Sequence, residues 1–486
     1  MAGIGFELKK LFSRKGVLNS AKAYGYAAVI CTGPMLLGIL LLFGITALCI
    51  SVGADLHSRE ILICMITYTL LASVTVTSLF SMVVTRYVAD LLFEDKNHAV
   101  LPAFWGSTVL MMVLGSILYG VFLIFSGVSV LQGILCFTLF NELVIVWSAM
   151  NFLSAIKDYK GIFFAFSTSV AVSLLVGALL LWLNLPVIES LLFAVTVGYG
   201  VMLVWYVILL HRYFPQTHHG AFAFLESFDV FWPLALTGFF MNVGMFAHLV
   251  IMWFSDIGER VTGLFFSSPW YDVPSLLAYM TALITTVNFV VSVEVNFYPK
   301  YRNHYSLYND RGTIDNIQQA EKEMMDTLKT ELLYTSLKQL LFTIVVIALG
   351  GYLLDLLPLG FNEIMRGYFR TLCVAYGVYA IGNMLMLILL YFADYIGALV
   401  STAVFAFAVI LGTVVSLSYS NFFYGFGFLV ASVIFAIVTM IRLDYYTKRL
   451  PYFILSTQPL VNRDYSGVFT KLSKFLKDHL EEKNEQ

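Results

Sequence analysis

The 486 residues carry 28 Lys and Arg against 30 Asp and Glu, a net charge of -2 that does not favour a nucleic-acid partner. Hydrophobic residues make up 60% of the chain and charged residues 12%, with a mean hydropathy of +0.85. Soluble domains contain about 45–50% apolar and about 25% charged residues, so this composition excludes a soluble fold and requires lipid to cover much of the surface.

Apolar stretches long enough to cross a bilayer, about 20 residues each, follow one another along the whole chain. Short connections join most neighbours, so we expect an all-α polytopic membrane protein with about twelve transmembrane helices, mostly antiparallel to their neighbours. The predicted spans are residues 23–50, 61–85, 100–125, 130–156, 162–184, 187–210, 230–254, 271–297, 332–357, 367–391, 396–418 and 424–443.

Two longer connections divide the chain, residues 211–229 and 298–331. The first leaves six spans on each side, which predicts two six-helix bundles, residues 23–210 and 230–443, related by an internal repeat as in many transporters. Residues 211–229 would then be a cytoplasmic linker, and residues 298–331 a cytoplasmic helical insertion in the second bundle.

Basic residues are distributed very unequally between the two sides of the predicted membrane. Twenty-four of the 28 lie on the side of the N-terminus, and only Arg59, Arg260, Arg366 and Arg370 lie on the other. Because connections rich in Lys and Arg stay in the cytoplasm, this asymmetry predicts that both termini are cytoplasmic.

Three polar segments have helical spacing without the length of apolar sequence that crosses a membrane. The lead-in of residues 1–22 and the tail of residues 444–486 each contain a basic amphipathic stretch, which favours interfacial helices on an anionic inner leaflet. The third follows Thr313, a candidate N-cap, and is acidic, with Glu321 and Glu323 among its residues. It is either a stalk that continues into the ninth span or a docking site for a cytoplasmic partner.

Ionisable side chains inside the spans are the candidate functional residues, because a charge in the membrane costs roughly 2.5–3.5 kcal/mol even on the lenient insertion scale. Glu142 lies in the middle of the fourth span beside Asn141, with no basic residue in the same apolar stretch. It would carry a proton or contact a polar or cationic substrate. Alternatively, a protonated or hydrogen-bonded carboxyl would tie two helices together.

Further polar residues lie in the seventh and eighth spans. Asn242 and His248 fall inside the seventh, and Asp272, Asn288 and Glu294 are spread along the eighth. If the eighth span is one helix, Asn288 and Glu294 do not share a narrow stripe, so no proton relay is predicted. Asp272 and Glu294 lie near the interfaces, where a structural role is favoured.

Arg86 and Lys157 lie at cytoplasmic span ends and are candidates for the entrance of a transport path. Arg86 could instead form an ion pair with Asp90 at i+4. Gly33 and Pro34 predict a break or kink in the first helix, because proline removes a backbone hydrogen bond. Such breaks are tolerated where they line a cavity.

Sequence motifs of catalysis and metal binding are missing. The sequence contains no HExxH, paired CxxC, GxSxG or GxxxxGK[ST], so no catalytic residues, no metal and no other cofactor are predicted. The five cysteines lie singly in apolar stretches, which does not favour a disulfide framework.

Three stretches of sequence are distinctive beyond their hydropathy. They are the opening MAGIGFELKKLFSRKGVLNSAKAYGYAAVICTGP, then TRYVADLLFEDKNHAVLP, and finally SSPWYDVPSLLAYMTALITTVNFVVSVEVNFYPKYRNHY with the acidic IDNIQQAEKEMMDTLKTEL after it. With these stretches the chain resembles the PelG family, the Pel exopolysaccharide transporters. The number of spans and the predicted orientation agree with that family over essentially the whole chain.

The resemblance implies the multidrug/oligosaccharidyl-lipid/polysaccharide (MOP) exporter superfamily, whose MATE-like fold has two six-helix lobes around a central cavity. It implies a multi-pass protein of the bacterial cytoplasmic membrane that exports a hexosamine-rich polymer. Its partners would be a cytoplasmic glycosyltransferase and other membrane subunits of the synthase.

The deep polar positions are acidic or neutral, which disfavours a diphosphate-lipid substrate and suits a neutral or partly cationic amino-sugar chain.

Two other interpretations remain open. One is a cation-coupled multidrug antiporter, for which Glu142 would be the coupling carboxylate. The other is a membrane scaffold that organises a polysaccharide synthase and moves nothing.

Overall fold

The computed structural model describes residues 17–156, 158–215, 220–309, 312–355, 360–456 and 467–481. Within them, twelve helical stretches are long and apolar enough to cross a membrane, which confirms the predicted number. The first seven are α1 (Val17–Ser51), α2 (Leu56–Phe93), α3 (Val100–Phe125), α4 (Val130–Ile156), α5 (Tyr159–Trp182), α6 (Val187–Tyr213) and α7 (Glu226–Trp253). The predicted lead-in of residues 1–22 lies mostly outside the described residues.

A short β-hairpin follows α7 and was not predicted. Its strands are β1 (Glu259–Thr262) and β2 (Phe265–Ser267), paired antiparallel with Glu259 opposite Ser267. The Tyr68 hydroxyl on α2 lies 3.1 Å from both the backbone nitrogen and the backbone oxygen of Phe266. The Leu264 amide donates to the Ser126 carbonyl at 3.0 Å, so hydrogen bonds attach the hairpin to α2 and to the C-terminal end of α3.

The eighth span is not the single helix considered in the sequence analysis. It is divided into α8 (Pro269–Tyr279), a 3₁₀ turn (Met280–Ala282), α9 (Leu283–Ser292), a π-helical turn (Val293–Phe297) and α10 (Tyr298–Asn309). Changes of helical pitch rotate the faces of successive segments, so the spacing of side chains along a regular helix does not apply here. Single π-helical turns frequently occur at functional sites.

The ninth span begins far outside its apolar part. Helix α11 (Ile314–Asp355) has 42 residues, about 63 Å at 1.5 Å per residue, and joins the acidic segment to the span without interruption. The Thr313 hydroxyl accepts the Asn316 amide at 3.3 Å, as expected of an N-cap. The segment is therefore a stalk that continues into the ninth span, and its use as a docking site for a cytoplasmic partner stays a prediction.

Three spans and two short α-helices follow α11 in the part of the chain that the structure describes. They are α12 (Glu363–Tyr391), α13 (Tyr395–Leu417), α14 (Phe426–Thr447), α15 (Leu450–Ser456) and α16 (Val468–Leu476). Polar caps define where some helices begin: the Asn362 side chain accepts the Met365 amide at 2.8 Å at the start of α12.

The contacts of the chain group into two compact units. Of the described residues, the first unit contains those up to Gly33 and those within Pro269–Phe392 and Ala408–Leu443. The second unit contains those within Pro34–Ser268 and Ala393–Phe407 and those from Asp444 onward. Helix α7 thus packs within the same unit as α2 to α6. The division into bundles of residues 23–210 and 230–443 stays a prediction.

Helix α2 organises the second of these units through a row of polar contacts. The Trp147 indole donates to the Ser73 hydroxyl at 3.0 Å, and the Asn151 amide donates to the Ser81 hydroxyl at 2.9 Å, so both bonds join α2 to α4. In lipid the apolar side chains of separate helices gain little by meeting, and such hydrogen bonds therefore help to fix which helices pair.

The first unit is held by a comparable buried network. The Ser275 and Tyr376 hydroxyls lie 2.8 Å apart between α8 and α12. The Thr285 hydroxyl donates to the Gln339 amide oxygen at 2.5 Å and joins α9 to α11, where Gln339 is only 1% exposed. These contacts hold the divided eighth span in place from two sides.

Candidate functional site

Glu142 lies half-buried on α4, facing α6. Its Oε2 atom is buried and has no hydrogen-bond partner among the described residues. A Cβ atom on Gly200 of α6 would lie 3.2 Å from Oε1, so the missing side chain at Gly200 leaves the space that the carboxyl occupies. Because an isolated buried carboxylate is very costly, this group is protonated or meets a polar partner that is not among the described residues.

A groove runs along α6 next to this carboxyl. It has a volume of about 590 Å³ and is lined by Val197, Gly200, Val201, Val204, Trp205, Ile208 and Leu209. Gly200 belongs both to the groove and to the contact with Glu142. The arrangement places one acidic group beside an otherwise apolar groove, a combination suited to a proton or to a ligand with one cationic or hydrogen-bonding group.

The side chain of Asn141, the neighbour of Glu142, forms two hydrogen bonds. Its amide nitrogen donates to the Phe137 carbonyl at 2.9 Å, and its amide oxygen accepts the Ser116 hydroxyl at 2.8 Å. The bond to Ser116 joins α3 to α4, and a role for Asn141 as a substrate contact stays a prediction.

Asn242 and His248 on α7 are also part of helix packing. The Asn242 amide oxygen accepts the Thr75 hydroxyl of α2 at 3.0 Å. His248 is completely buried and is hydrogen-bonded to the backbone at Met245. A role for either residue in a transport path stays a prediction.

A second, polar groove lies in the first unit beside the π-helical turn. It has a volume of about 620 Å³ and is lined by Val295, Asn296, Pro299, Lys300, Asp326, Thr327, Thr330 and Glu331. The Glu331 carboxylate accepts the Asn296 amide at 2.7 Å and also the Ser292 hydroxyl. Lys300 forms an ion pair with Glu323 at 2.7 Å. Sequence reasoning missed this groove, because its residues come together only through the pairing of the π-helical turn and α10 with α11.

Asn288 contacts a lysine, whereas the sequence analysis expected only acidic or neutral groups at the deep polar positions. Its amide nitrogen donates to the Ile284 carbonyl at 3.0 Å, and its amide oxygen accepts the Lys338 ammonium at 3.3 Å. The Lys338 ammonium also lies 5.7 Å from the ring centres of Tyr24 and Tyr334. The polar groups around this position are therefore not all acidic or neutral, since Lys338 of the ninth span, on α11, reaches Asn288 of the eighth.

Asp272 and Glu294 are the other two candidate residues of the eighth span. Asp272 lies half-buried in the first turn of α8, beside the buried Tyr271 and far along the chain from the polar groove. The backbone of Glu294 belongs to the π-helical turn, but its side chain lies outside the described residues. A role for either residue in a transport path stays a prediction.

The structure describes one of the two candidates for the cytoplasmic entrance, Arg86. Arg86 pairs with Asp90 at 3.0 Å, with both side chains more than 40% exposed, and its guanidinium lies 5.7 Å from the Phe231 ring centre. This is the helix-end ion pair that the i+4 spacing indicated. Lys157 lies outside the described residues.

Helix α1 continues through Gly33 and Pro34 from Val17 to Ser51, so these residues do not end it or break it into two helices. Proline lacks one backbone donor, but its fixed φ is close to that of a helix, and a helix in a membrane can accommodate it. The boundary between the two compact units falls at this point of α1. The described residues up to Gly33 belong to the first unit, and those from Pro34 belong to the second.

No three His, Cys, Asp or Glu side chains in the described part of the chain come together as a metal-binding group. One carboxyl, that of Glu142, lies beside the apolar groove, and two, those of Asp326 and Glu331, line the polar groove.

Solved structures of membrane transporters have a similar fold. A Vibrio cholerae MATE transporter, VcmN in its bent form, is 12% identical, with 89% of this chain and 99% of that chain covered at a TM-score of 0.57. A MOP superfamily transporter from Pyrococcus furiosus is 14% identical, with 87% and 96% covered at a TM-score of 0.52. The chain therefore has the fold of the MOP superfamily transporters.

A match to a family model identifies the family to which the chain belongs. The model of PelG, described as a putative exopolysaccharide exporter, matches residues 1–455. The chain belongs to the PelG family and is a multi-pass membrane transporter, not an enzyme. A search of curated proteins gave no significant match.

Proposed function

We propose that this transporter exports a hexosamine-rich exopolysaccharide across the bacterial cytoplasmic membrane, and that a cytoplasmic glycosyltransferase delivers the growing chain to it. The match to the PelG family over residues 1–455 carries the proposal. Other membrane subunits of a polysaccharide synthase complete the assembly. The number of helical spans and the MOP fold are consistent with a path through the bilayer.

The polar groove beside the π-helical turn supports a sugar substrate. Asn296, Thr327, Thr330 and the carboxylates of Asp326 and Glu331 present amide, hydroxyl and acidic groups along one surface. Hydroxyl and amino groups of a hexosamine would exchange hydrogen bonds with these side chains. Such weak contacts at several places suit a polymer in transit, because a single deep site would hold it back.

Glu142 supports two roles that differ in mechanism. In the exporter its carboxyl exchanges hydrogen bonds with sugar groups or carries a proton as the path changes shape. In a cation-coupled multidrug antiporter, the alternative function, the same carboxyl would bind the coupling proton and the cationic drug in turn. The buried Oε2 atom beside the α6 groove is the observation that favours keeping this second candidate.

The test uses inverted membrane vesicles that contain the transporter and its glycosyltransferase. Labelled UDP-N-acetylhexosamine is supplied outside, and polymer protected from an added glycosidase is measured. We expect protected polymer that disappears when the transporter is omitted. Polymer that is made but remains fully digestible would contradict export and would favour the scaffold interpretation.

Two variants separate the exporter from the antiporter. Glu142→Gln should lower the amount of protected polymer, whereas the matched control Glu363→Gln, whose carboxyl side chain is 85% exposed, should not. Collapsing the ion gradient then distinguishes pushing by polymer elongation from ion coupling. Gradient-driven movement of cationic drugs that Glu142→Gln abolishes, with no protected polymer, would establish the antiporter instead.

A further inference from the structure

The C-terminal tail is fastened to the first turn of α7 by one carboxylate. The Asp229 side chain accepts the Phe469 amide at 3.2 Å, and its other oxygen accepts the Thr470 amide at 2.7 Å and the Thr470 hydroxyl at 2.6 Å. Asp229 thus caps the N-terminus of α16 from a position about 240 residues earlier in the chain. Bonds to an ionised carboxylate are the stronger hydrogen bonds of proteins, so this contact is a specific attachment.

Further contacts fix how α16 lies against this site. The Ser473 hydroxyl donates to the Phe222 carbonyl at 3.1 Å, and the Phe469 ring lies 5.4 Å from the Phe228 ring. A Cβ atom on Gly467 would lie 2.0 Å from the Asp229 carboxyl carbon, so a residue with a side chain does not fit there. One face of α16, with Thr470 and Ser473 buried, is therefore committed to the body of the protein.

The opposite face of α16 is apolar and exposed. Val468 is 78% exposed, Leu472 40% and Phe475 56%. The spacing i, i+4, i+7 places these three side chains on one stripe of the helix. An exposed apolar stripe of this kind needs a covering surface.

Basic residues border the stripe. Lys471 and Lys474 are exposed on one flank, and Lys477 is exposed just beyond the C-terminal end of α16. The helix lies against Phe222, Phe228 and Asp229, at the start of a membrane-spanning stretch that runs from Ala223 to Trp253. An apolar stripe with a basic border at the end of a span has the chemistry of a surface that binds anionic lipid.

We propose that the stripe of Val468, Leu472 and Phe475 inserts into the surface of an anionic bilayer, with Lys471 and Lys474 on the lipid headgroups. The Asp229 attachment holds the helix in the orientation that this contact needs. The tail then secures the first turn of α7 to the lipid surface. This binding site for anionic lipid is distinct from the two grooves described above.

The experiment uses the full-length chain in nanodiscs, one set of neutral phosphatidylcholine and one with added phosphatidylglycerol. Val468→Cys carries a polarity-sensitive nitrobenzoxadiazole label, and the parent chain treated with the same label controls for native cysteines, of which Cys49, Cys64, Cys136 and Cys373 are buried. We expect the label to shift to the blue and to be quenched by spin-labelled lipids in the anionic nanodiscs. Equal signals in neutral and anionic nanodiscs would overturn the electrostatic part of the proposal.

Charge reversal provides the matched comparison. Each lysine near an anionic surface contributes about fivefold to binding, so Lys471→Glu with Lys474→Glu should weaken insertion roughly 25-fold or more. The control Lys322→Glu with Lys329→Glu reverses two exposed charges on α11 and should leave the signal unchanged. If both pairs have the same effect, or if the label is already shielded in detergent by a second copy of the chain, the lipid proposal is wrong.

Discussion

Glu142 brings an acidic group into the apolar part of α4, and the residue opposite it decides what that group can do. Gly200 leaves room for the carboxyl, whereas a Cβ atom there would lie 3.2 Å from Oε1, closer than most side-chain contacts. The sequence identifies the buried acid because an ionisable residue stands out in an apolar stretch. It does not identify Gly200, since nothing in the local pattern of α6 distinguishes that glycine from others.

Substituting Gly200 tests whether the space beside Glu142 matters for transport. Gly200→Ala should displace the carboxyl and lower export, measured as protected polymer in the inverted vesicles, at unchanged amounts of protein in the membrane. The matched control is Gly38→Ala, where no atom lies within 4 Å of the added Cβ position. Equal export by both variants would show that the carboxyl and its surroundings tolerate the change, and would remove the geometric support for a role of Glu142.

At the scale of helices, close packing of α5 and α6 depends on small residues. A Cβ atom on Gly198 of α6 would lie 1.9 Å from the Ser173 hydroxyl oxygen and 2.7 Å from the Ser169 carbonyl oxygen of α5. Small residues at such crossings let two backbones approach, which is the usual way in which helices associate in lipid. The sequence contains the small residues, but the pairing of these two positions is visible only in the fold.

Gly198→Ala should therefore push α5 and α6 apart. We expect a loss of about 1–3 kcal/mol in the free energy of unfolding, as for other overpacked cores, measured from the thermal unfolding of the purified protein. Adding Ser173→Ala removes the nearest atom and should restore part of the loss. An unfolding temperature unchanged by Gly198→Ala would contradict the close approach of the two helices.

The eighth and ninth spans differ most from the prediction, because sequence periodicity treats each span as one uniform helix. The eighth span contains α-helical, 3₁₀ and π-helical segments, and α11 extends well beyond its apolar part. Hydropathy locates both spans, because it depends on composition over about 20 residues. It does not report helical pitch, which depends on contacts such as the bond from Thr285 to Gln339 across α9 and α11.

For the whole molecule, the orientation in the membrane is the main property that the structure leaves as a prediction. The unequal distribution of Lys and Arg predicts cytoplasmic termini, with the β-hairpin on the outer side and the stalk of α11 on the inner side. The hairpin and the stalk both present exposed side chains for a test, Glu259 and Lys322.

Cysteine labelling in intact cells decides the orientation. Glu259→Cys should react with a membrane-impermeant maleimide in intact cells, and Lys322→Cys should react only after the membrane is permeabilised. The parent chain gives the background from native cysteines. The reverse pattern would place the basic side outside and would exclude cytoplasmic delivery of polymer to the groove beside the π-helical turn.

The sequence by itself determined the class of protein, the number of spans, the buried acid at Glu142 and the ion pair of Arg86 with Asp90. These properties depend on composition or on residues a few positions apart, where helical geometry is enough. Only the tertiary structure decided that Gly200 faces Glu142, that Tyr68 fastens the hairpin and that Asp229 caps the tail helix. The last two pairs are separated by 198 and 241 positions in the chain, and nothing local in the sequence specifies such partners.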